Sequence, residues 1–296
     1  MKKALFTGIT FLVALAVQAK VQLPNYISSH MVLQQQATLT LRLQARAGST
    51  VSVTPSWNQQ TVQGTADANG RCTLQLTTPK AGGPYAVTFD DGERTTITDV
   101  LVGEVWLCSG QSNMEMPVSG WGKVMNYEKE LVQAHHPDIR LLQVKRITSN
   151  TPKDDVELTA AGWQECHTGS VAEFSSIAYF YARELNRALR VPVGVLDCSW
   201  GCTPAEAWTE LEALSAVAGF EPQVKALREH RHDSNAMEQE YRRQFAAWQA
   251  TQARPDMEFD KATLQPDWAP MPVPAAWETT VLPNFDGVVW LQYAVE

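Results

Sequence analysis

The sequence predicts an α/β domain built on a doubly wound parallel sheet and preceded by a small β-sandwich. Three observations carry this expectation. Asp99 to Cys108, "DVLVGEVWLC", is a nearly continuous apolar run of the kind buried on both faces of a parallel sheet, and it leaves through Ser109 and Gly110. Val193 to Cys198 repeats the pattern after a helix-spaced segment and leaves through Gly201. Between Val21 and about Thr98 the chain instead shows short alternating segments broken by turn residues. Two strands ending in small-residue turns put the expected ligand site at the carboxyl ends of the strands.

In chain order, Met1-Lys2-Lys3 precedes an uncharged apolar run from Ala4 to Val17 and then Val17-Gln18-Ala19. That pattern reads as a signal peptide over 1–19, cut after Ala19, with export to the periplasm or medium as the consequence. The run is short for a bilayer span, so no stable membrane insertion is expected after cleavage. Residues 20–98 hold "ATLTLRLQA", "AGSTVSVTP", "TVQGTADANGRCTLQL" and "AGGPYAVTFDDGERTTIT". Asn69-Gly70, Gly82-Gly83-Pro84 and Asp91-Gly92 supply turn chemistry between them, which predicts an Ig-like sandwich with a supporting role. Residues 99–264 form the α/β part with a helical excursion. Within it, Ile177, Phe180, Tyr181, Leu185 and Leu189 recur at helical spacing. Ser175 or Ser176 caps that helix, Pro192 bars its continuation, and a further helix is expected near Pro204. From about Leu211 to Arg254 the pattern is charged and helical, with Tyr241, Phe245 and Trp248 on one stripe. Residues 265–296 are rich in Pro and Trp at first and then strand-like, "GVVWLQYAVE", with no later segment to pair with. The sequence therefore reads as a truncated chain.

Composition narrows the function classes. With 44% hydrophobic and 19% charged residues the chain is globular, and its formal charge of −8 argues against nucleic acid as the main partner. Cys72, Cys108, Cys166, Cys198 and Cys202 show no metal or redox spacing, so no metal site is expected. Cys198 and Cys202 are the pair an exported compartment would most readily oxidise, while buried free thiols are the plainer account. The oligomeric state is not encoded in any pattern here.

The stretch "LCSGQSNMEMPV", 107–118, carries the chemistry. A serine just past a buried strand and a glycine has its hydroxyl at the strand's carboxyl edge, beside backbone amides free to donate to an oxyanion. Those are the needs of an acyl-transfer nucleophile. Taken alone, Gly110-x-Ser112 is more simply a turn that caps a helix, since such triplets are common and no glycine follows at the spacing of a hydrolase nucleophile elbow.

"VGEVWLCSGQSNMEMPV" resembles the nucleophile block of the sialate O-acetylesterase family, a branch of the SGNH (GDSL-like) hydrolases. "LPNYISSHMVLQQ" and "AGGPYAVTF" are similar to that family's amino-terminal β-domain, and "VPVGVLDCSWGCTPAEAW" to its second block. "LPNFDGVVWLQYAVE" is similar to the start of a galactose-binding-like module inserted into the hydrolase domain. The resemblance implies a flavodoxin-like SGNH domain, incomplete here, that removes O-acetyl groups from sialic acids without a cofactor. It implies Ser112 as nucleophile, with the N–H groups of Ser112 and Gly201 as oxyanion donors. A residue without Cβ lets the Gly201 amide come close to the tetrahedral intermediate. Gln111, Asn113 and Trp200 border the site as positioning or substrate-contacting residues, although hydrogen bonds that only hold the turn account for Gln111 and Asn113 equally well.

Two departures stand out. Members of the family commonly read Trp-Gly-Gly-Thr where this chain has Trp200-Gly201-Cys202-Thr203, which puts a Cβ and a thiol beside the site. The family's later Asp-x-x-His, source of the general base, has no counterpart, because no Asp lies three residues before any of the six histidines. Glu229 and His232 have Glu-x-x-His spacing but lie in a charge run that reads as a solvated face. His30, His135, His136 and His167 have no carboxylate at the family's spacing. A serine hydroxyl is a weak nucleophile until an imidazole takes its proton, so the 296 residues are expected to lack activity on their own. An acetylxylan-type polysaccharide deacetylase is the alternative enzyme. A non-catalytic carbohydrate-binding protein is the alternative of another class, supported by Trp163, Trp200, Trp208, Trp268, Trp277 and Trp290 as sugar-stacking candidates, with buried packing as their plainer use.

Overall fold

The computed structural model describes residues 20–230, 233–252 and 270–272. The expected signal peptide, His232, and the stretch around 265–296 apart from 270–272 lie outside the described residues. Among the described residues no helix is long and apolar enough to cross a membrane. The chain divides into two compact units, residues 1–218 and 219–296.

The first unit opens with seven strands: β1 (Val32–Gln34), β2 (Thr38–Gln44), β3 (Thr50–Pro55), β4 (Val62–Thr65), β5 (Arg71–Thr77), β6 (Gly82–Asp90) and β7 (Arg94–Gly110). Alternation does what it should. β5 reads Arg71-Cys72-Thr73-Leu74-Gln75-Leu76 with Cys72, Leu74 and Leu76 buried and their neighbours exposed. β2 and β5 pair antiparallel as a separate two-stranded sheet, while β4, β3, β6 and β7 run side by side in the larger one. Val51, Val53, Val87, Phe89, Leu41, Leu43 and Leu74 belong to one core. Asn69-Gly70 turns between β4 and β5, with Gly70 at φ 80°, and Asp91-Gly92 joins β6 to β7. Gly82-Gly83-Pro84 does not make the expected turn, since it is the start of β6, where the register against β7 shifts between Gly82 and Tyr85. A proline without an N–H is tolerated at such an irregular strand start.

β7 runs without a break across residue 98. Its first half pairs with β6 and its second half becomes a strand of the parallel sheet, so sandwich and α/β part share one sheet, ordered β4-β3-β6-β7-β10-β8-β9. The later elements of this unit are α1 (Ser112–Glu115), α2 (Tyr127–Gln133), β8 (His135–Gln143), β9 (Gln164–His167), α3 (Thr168–Val171), α4 (Ser176–Leu189), β10 (Val193–Ser199), a 3-10 turn (Ala205–Trp208) and α5 (Leu211–Leu214). β10 lies between β7 and β8 and is parallel to both. The α/β class is thus as the sequence predicts.

Two details differ. β7 is buried from Val100 to Gly103, but Trp106 is 42% and Leu107 67% exposed. From Glu104 onward the described residues pair β7 only with β10, so that half is an edge strand rather than a strand covered on both sides. In α4 the cap is Ser175, whose Oγ accepts from the Ala178 N–H at 3.1 Å. The buried face is Ser176, Ala178, Tyr179 and Ala182, whereas Ile177, Tyr181 and Leu189 are exposed. Phe180 and Leu185 pack partly against that same core, so only part of the apparent period faces inward, and on the flank Tyr181 meets Trp106 edge-on at 5.1 Å. The helix near Pro204 is only the 3-10 turn.

The second unit contains α6 (Glu221–Glu229) and α7 (Ser234–Gln252). On α7, Tyr241, Phe245 and Trp248 form one stacked, exposed stripe, with ring centroids 6.0 and 5.6 Å apart. Arg242 pairs with Glu238 and Arg243 with Glu240 along the helix.

Candidate active site

The neighbouring positions of β7 and β10 bring the two sequence blocks together. Gly110 is in register with Ser199, and the Trp200 N–H donates to the Gly110 carbonyl at 3.0 Å, so both chains leave the sheet at one edge and one level. Gly110 has φ +147°, open to a residue without Cβ and strained for others. This lets β7 turn sharply into α1, which begins at Ser112.

Gln111 is the N-cap of α1, and its side-chain Oε1 accepts from the Ser112 N–H at 3.1 Å and from the Ser112 hydroxyl at 3.0 Å. Gly201 lies in contact with the Ser112 turn: a Cβ built on it would sit 3.0 Å from Ser112 Oγ and 2.6 Å from Glu115 Oε2. Its N–H donates to that Glu115 oxygen. Both amides expected to serve an oxyanion therefore bond to side-chain oxygens in this structure. Asn113 is exposed and Trp200 half-buried. The turn past Gly201 is held by the Thr203 hydroxyl, which donates to the Trp200 carbonyl at 2.6 Å and accepts from Trp208 Nε1 at 2.8 Å. Cys202 adopts φ +61°, the left-handed conformation in which glycine is at ease, so the substitution at this position leaves a glycine-type backbone in place.

Glu115, Arg146, Asp197, Ser199 and Gln143 belong to this edge although no sequence pattern singles them out. Glu115 is 9% exposed and pairs with Arg146 Nη2 through Oε1 at 2.7 Å. Asp197, at the end of β10, is 2% exposed, with Ser199 Oγ donating to Oδ1 at 2.5 Å and Gln143 Nε2 to Oδ2 at 3.1 Å. Burial pushes the Asp197 carboxyl above its ordinary value, against the hydrogen bonds from Ser199 and Gln143 and the Arg146 charge. Gln143, Lys145, Arg146, Thr159, Asp197 and Ser199 line a cavity of about 240 Å³ at the carboxyl ends of β8 and β10. A glutamate between two methionines in "NMEMPV" is the one local signal that a carboxylate is buried there.

The described histidines are elsewhere. Ser112 Oγ has no hydrogen bond to a histidine among the described residues. His135 pairs with His167 at the opening of β8, with His136 alongside. His135 opens β8 and Gln143, the register partner of Asp197, closes it, which separates them by on the order of 26 Å at about 3.3 Å per residue. His30, just before β1, is bound at 2.6 Å to Asp99 on the half of β7 that precedes the parallel sheet, and lies 3.2 Å from Arg140. His30, Asp99 and Glu165 could together offer ligand atoms to a metal, but Arg140 Nη1 sits 2.6 Å from Asp99 and 3.8 Å from Glu165, so a guanidinium already fills the cationic role. His230 ends α6 in the second unit. All five cysteines are free, and burial lifts the thiols of Cys108 and Cys166 to about 11 and about 12. Trp163 is buried in the sandwich core with its Nε1 on the Tyr26 carbonyl, while Trp208 is 42% exposed. Trp268, Trp277 and Trp290 lie outside the described residues.

A serine at the carboxyl end of a parallel strand, facing a glycine turn on the neighbouring strand, defines an SGNH-like α/β fold preceded by a β-domain. The resemblance to sialate O-acetylesterases is likewise borne out. The chain is 29% identical over 228 residues to the sialate O-acetylesterase of Rattus norvegicus, covering 69% of this chain and 42% of that protein. It is 31% identical over 208 residues to the Homo sapiens sialate O-acetylesterase, covering 65% and 39%. Among solved structures it matches a carbohydrate acetylesterase from Xanthomonas citri with TM-score 0.60 and 28% identity, over 66% of this chain and 44% of that one. No protein-family model matches. The chain thus spans about two fifths of the length of these relatives.

Proposed function

We propose that the chain is the nucleophile-bearing part of an exported carbohydrate O-acetylesterase that acts on acetylated sialic acids. The observation that supports this most is the approach of the Gly201 turn to the Ser112 hydroxyl, 3.0 Å from a Cβ position that glycine leaves empty. Ser112 Oγ attacks the acetyl carbonyl, its proton passes to a base, and the sugar alkoxide leaves with a proton. Water then releases acetate from Ser112. The amides of Ser112 and Gly201 stabilise the oxyanion by exchanging or sharing the bonds they now make to Gln111 and Glu115. No metal or organic cofactor takes part in this scheme.

The base is the missing part. With no Asp-x-x-His in the sequence and no histidine bonded to Ser112 among the described residues, the 296 residues alone are expected to turn over at background, with the imidazole supplied from elsewhere. A second reading, an acetylated polysaccharide such as xylan as substrate, draws support from the broader description of the Xanthomonas relative as a carbohydrate acetylesterase. The experiment is transfer of acetyl from each sugar to residues 20–296 and its release, with and without added imidazole, beside Ser112→Ala. Imidazole-dependent transfer that needs Ser112 supports the proposal. Transfer indifferent to Ser112 overturns it, and preference between the sugars separates the two substrates.

A further inference from the structure

Glu115 ends the short helix that begins at the nucleophile, and it is buried where an unpaired carboxylate would be costly. Its two oxygens have separate partners. Oε2 takes the N–H of Gly201 on the turn after β10, and Oε1 takes Arg146 from the segment after β8. Three strands of the sheet thus have their carboxyl ends tied through one side chain. Gly201 is packed so closely that a Cβ would meet both Glu115 Oε2 and Ser112 Oγ, so the gap between turn and hydroxyl follows wherever the carboxylate holds the amide.

We infer that Glu115 is a positioning residue: its carboxylate, with Arg146 as counter-ion, sets the distance between the Gly201 turn and the Ser112 hydroxyl. The catalytic meaning of that distance rests on the proposed esterase reading, but the geometry does not. Glu115 bonds an amide also needed for an oxyanion, so a rival role exists in which it merely blocks Gly201. The two roles differ in what its removal does: a positioning group leaves the turn adrift, while a blocking group leaves it in place.

The test is amide hydrogen exchange and proton–proton NOE measurement on 15N-labelled chain, neither of which requires ester hydrolysis. Glu115→Ala should speed exchange of the Gly201 amide about 10- to 100-fold, the range expected for losing a bond to a charged acceptor. It should also abolish the NOE between Gly201 Hα and the Ser112 side chain, with amides of β10 unchanged. Glu115→Gln keeps an acceptor for Gly201, because the half-exposed Arg146 can turn to water, and should restore both signals. Arg146→Gln, a milder change for use should the alanine variant not fold, should give a smaller acceleration confined to the same turn. Unchanged Gly201 exchange or a persistent NOE in Glu115→Ala, failure of Glu115→Gln to restore them, or acceleration spread over β10 would overturn the inference. A chain in which Ser112 proves not to be a nucleophile would still give the predicted exchange and NOE changes.

Discussion

Cys202→Gly should stabilise the protein, although it deletes a side chain. Cys202 holds φ +61° in the turn beside the candidate nucleophile. That conformation costs an L-residue about 1–2 kcal/mol, from contact between its Cβ and the next carbonyl. Glycine escapes this cost but gives its unfolded chain more freedom, a loss of about 0.5–1 kcal/mol. Cys202 is exposed, so little packing is forfeited. The net expectation is a gain of about 0.5–1 kcal/mol, or roughly 1–4 °C in Tm for a unit of this size. Urea unfolding followed by tryptophan fluorescence measures it, with a higher midpoint at unchanged slope as the expected result. Cys202→Ala keeps the Cβ and should show no gain, which separates backbone strain from removal of the thiol. An equal gain in both variants, or a loss in the glycine variant, would refute the reasoning.

Two further outcomes concern buried charge. Asp99→Ala strips the main partner of Arg140, whose side chain is 4% exposed, and should cost on the order of 2–3 kcal/mol, less than for a pair buried on both sides because Asp99 is 28% exposed. Burial acts to raise the Asp99 carboxyl, but hydrogen bonds from Arg140 and His30 outweigh it and hold the group below the ordinary 3.8. Its contribution is therefore present above 3.8 and lost as pH falls through the lower folded value, so the gap between wild type and Asp99→Ala in urea titrations should narrow in acid. Asp197 has the opposite sign. Burial raises its carboxyl above 3.8, so the native state keeps the proton longer, and stability present below 3.8 is lost as pH rises through the folded value. Relative to Asp197→Asn, the wild type should lose stability as pH climbs above 3.8; a relative gain would contradict the burial argument.

Local rules reached much of this fold and stopped where long-range neighbours decide. Alternation in β5 and the cap of α4 at Ser175 are set by residues a few positions apart, and both were legible. The exposure of Trp106 and Leu107 was not, because an apolar run does not reveal that its outer edge lacks a partner among the described residues. Nor was the buried face of α4, where Ala178, Tyr179 and Ala182 pack while Ile177, Tyr181 and Leu189 stay outside. At the candidate site, Ser112 and Gly201 stood out through strand-exit chemistry and family resemblance. That they meet depends on β10 inserting beside β7, which no local pattern encodes. Glu115 and Arg146, 31 positions apart, acquire their roles only from that insertion.

The central claim is that Ser112 is the acyl acceptor, and mass spectrometry of its peptide tests it most directly. Residues 20–296, incubated with an O-acetylated sialic acid and imidazole, should gain one acetyl group on the peptide containing Ser112, and Ser112→Ala should gain none. Acetylation elsewhere with Ser112 unmodified, or acetate released equally by the Ser112→Ala protein, would contradict the account.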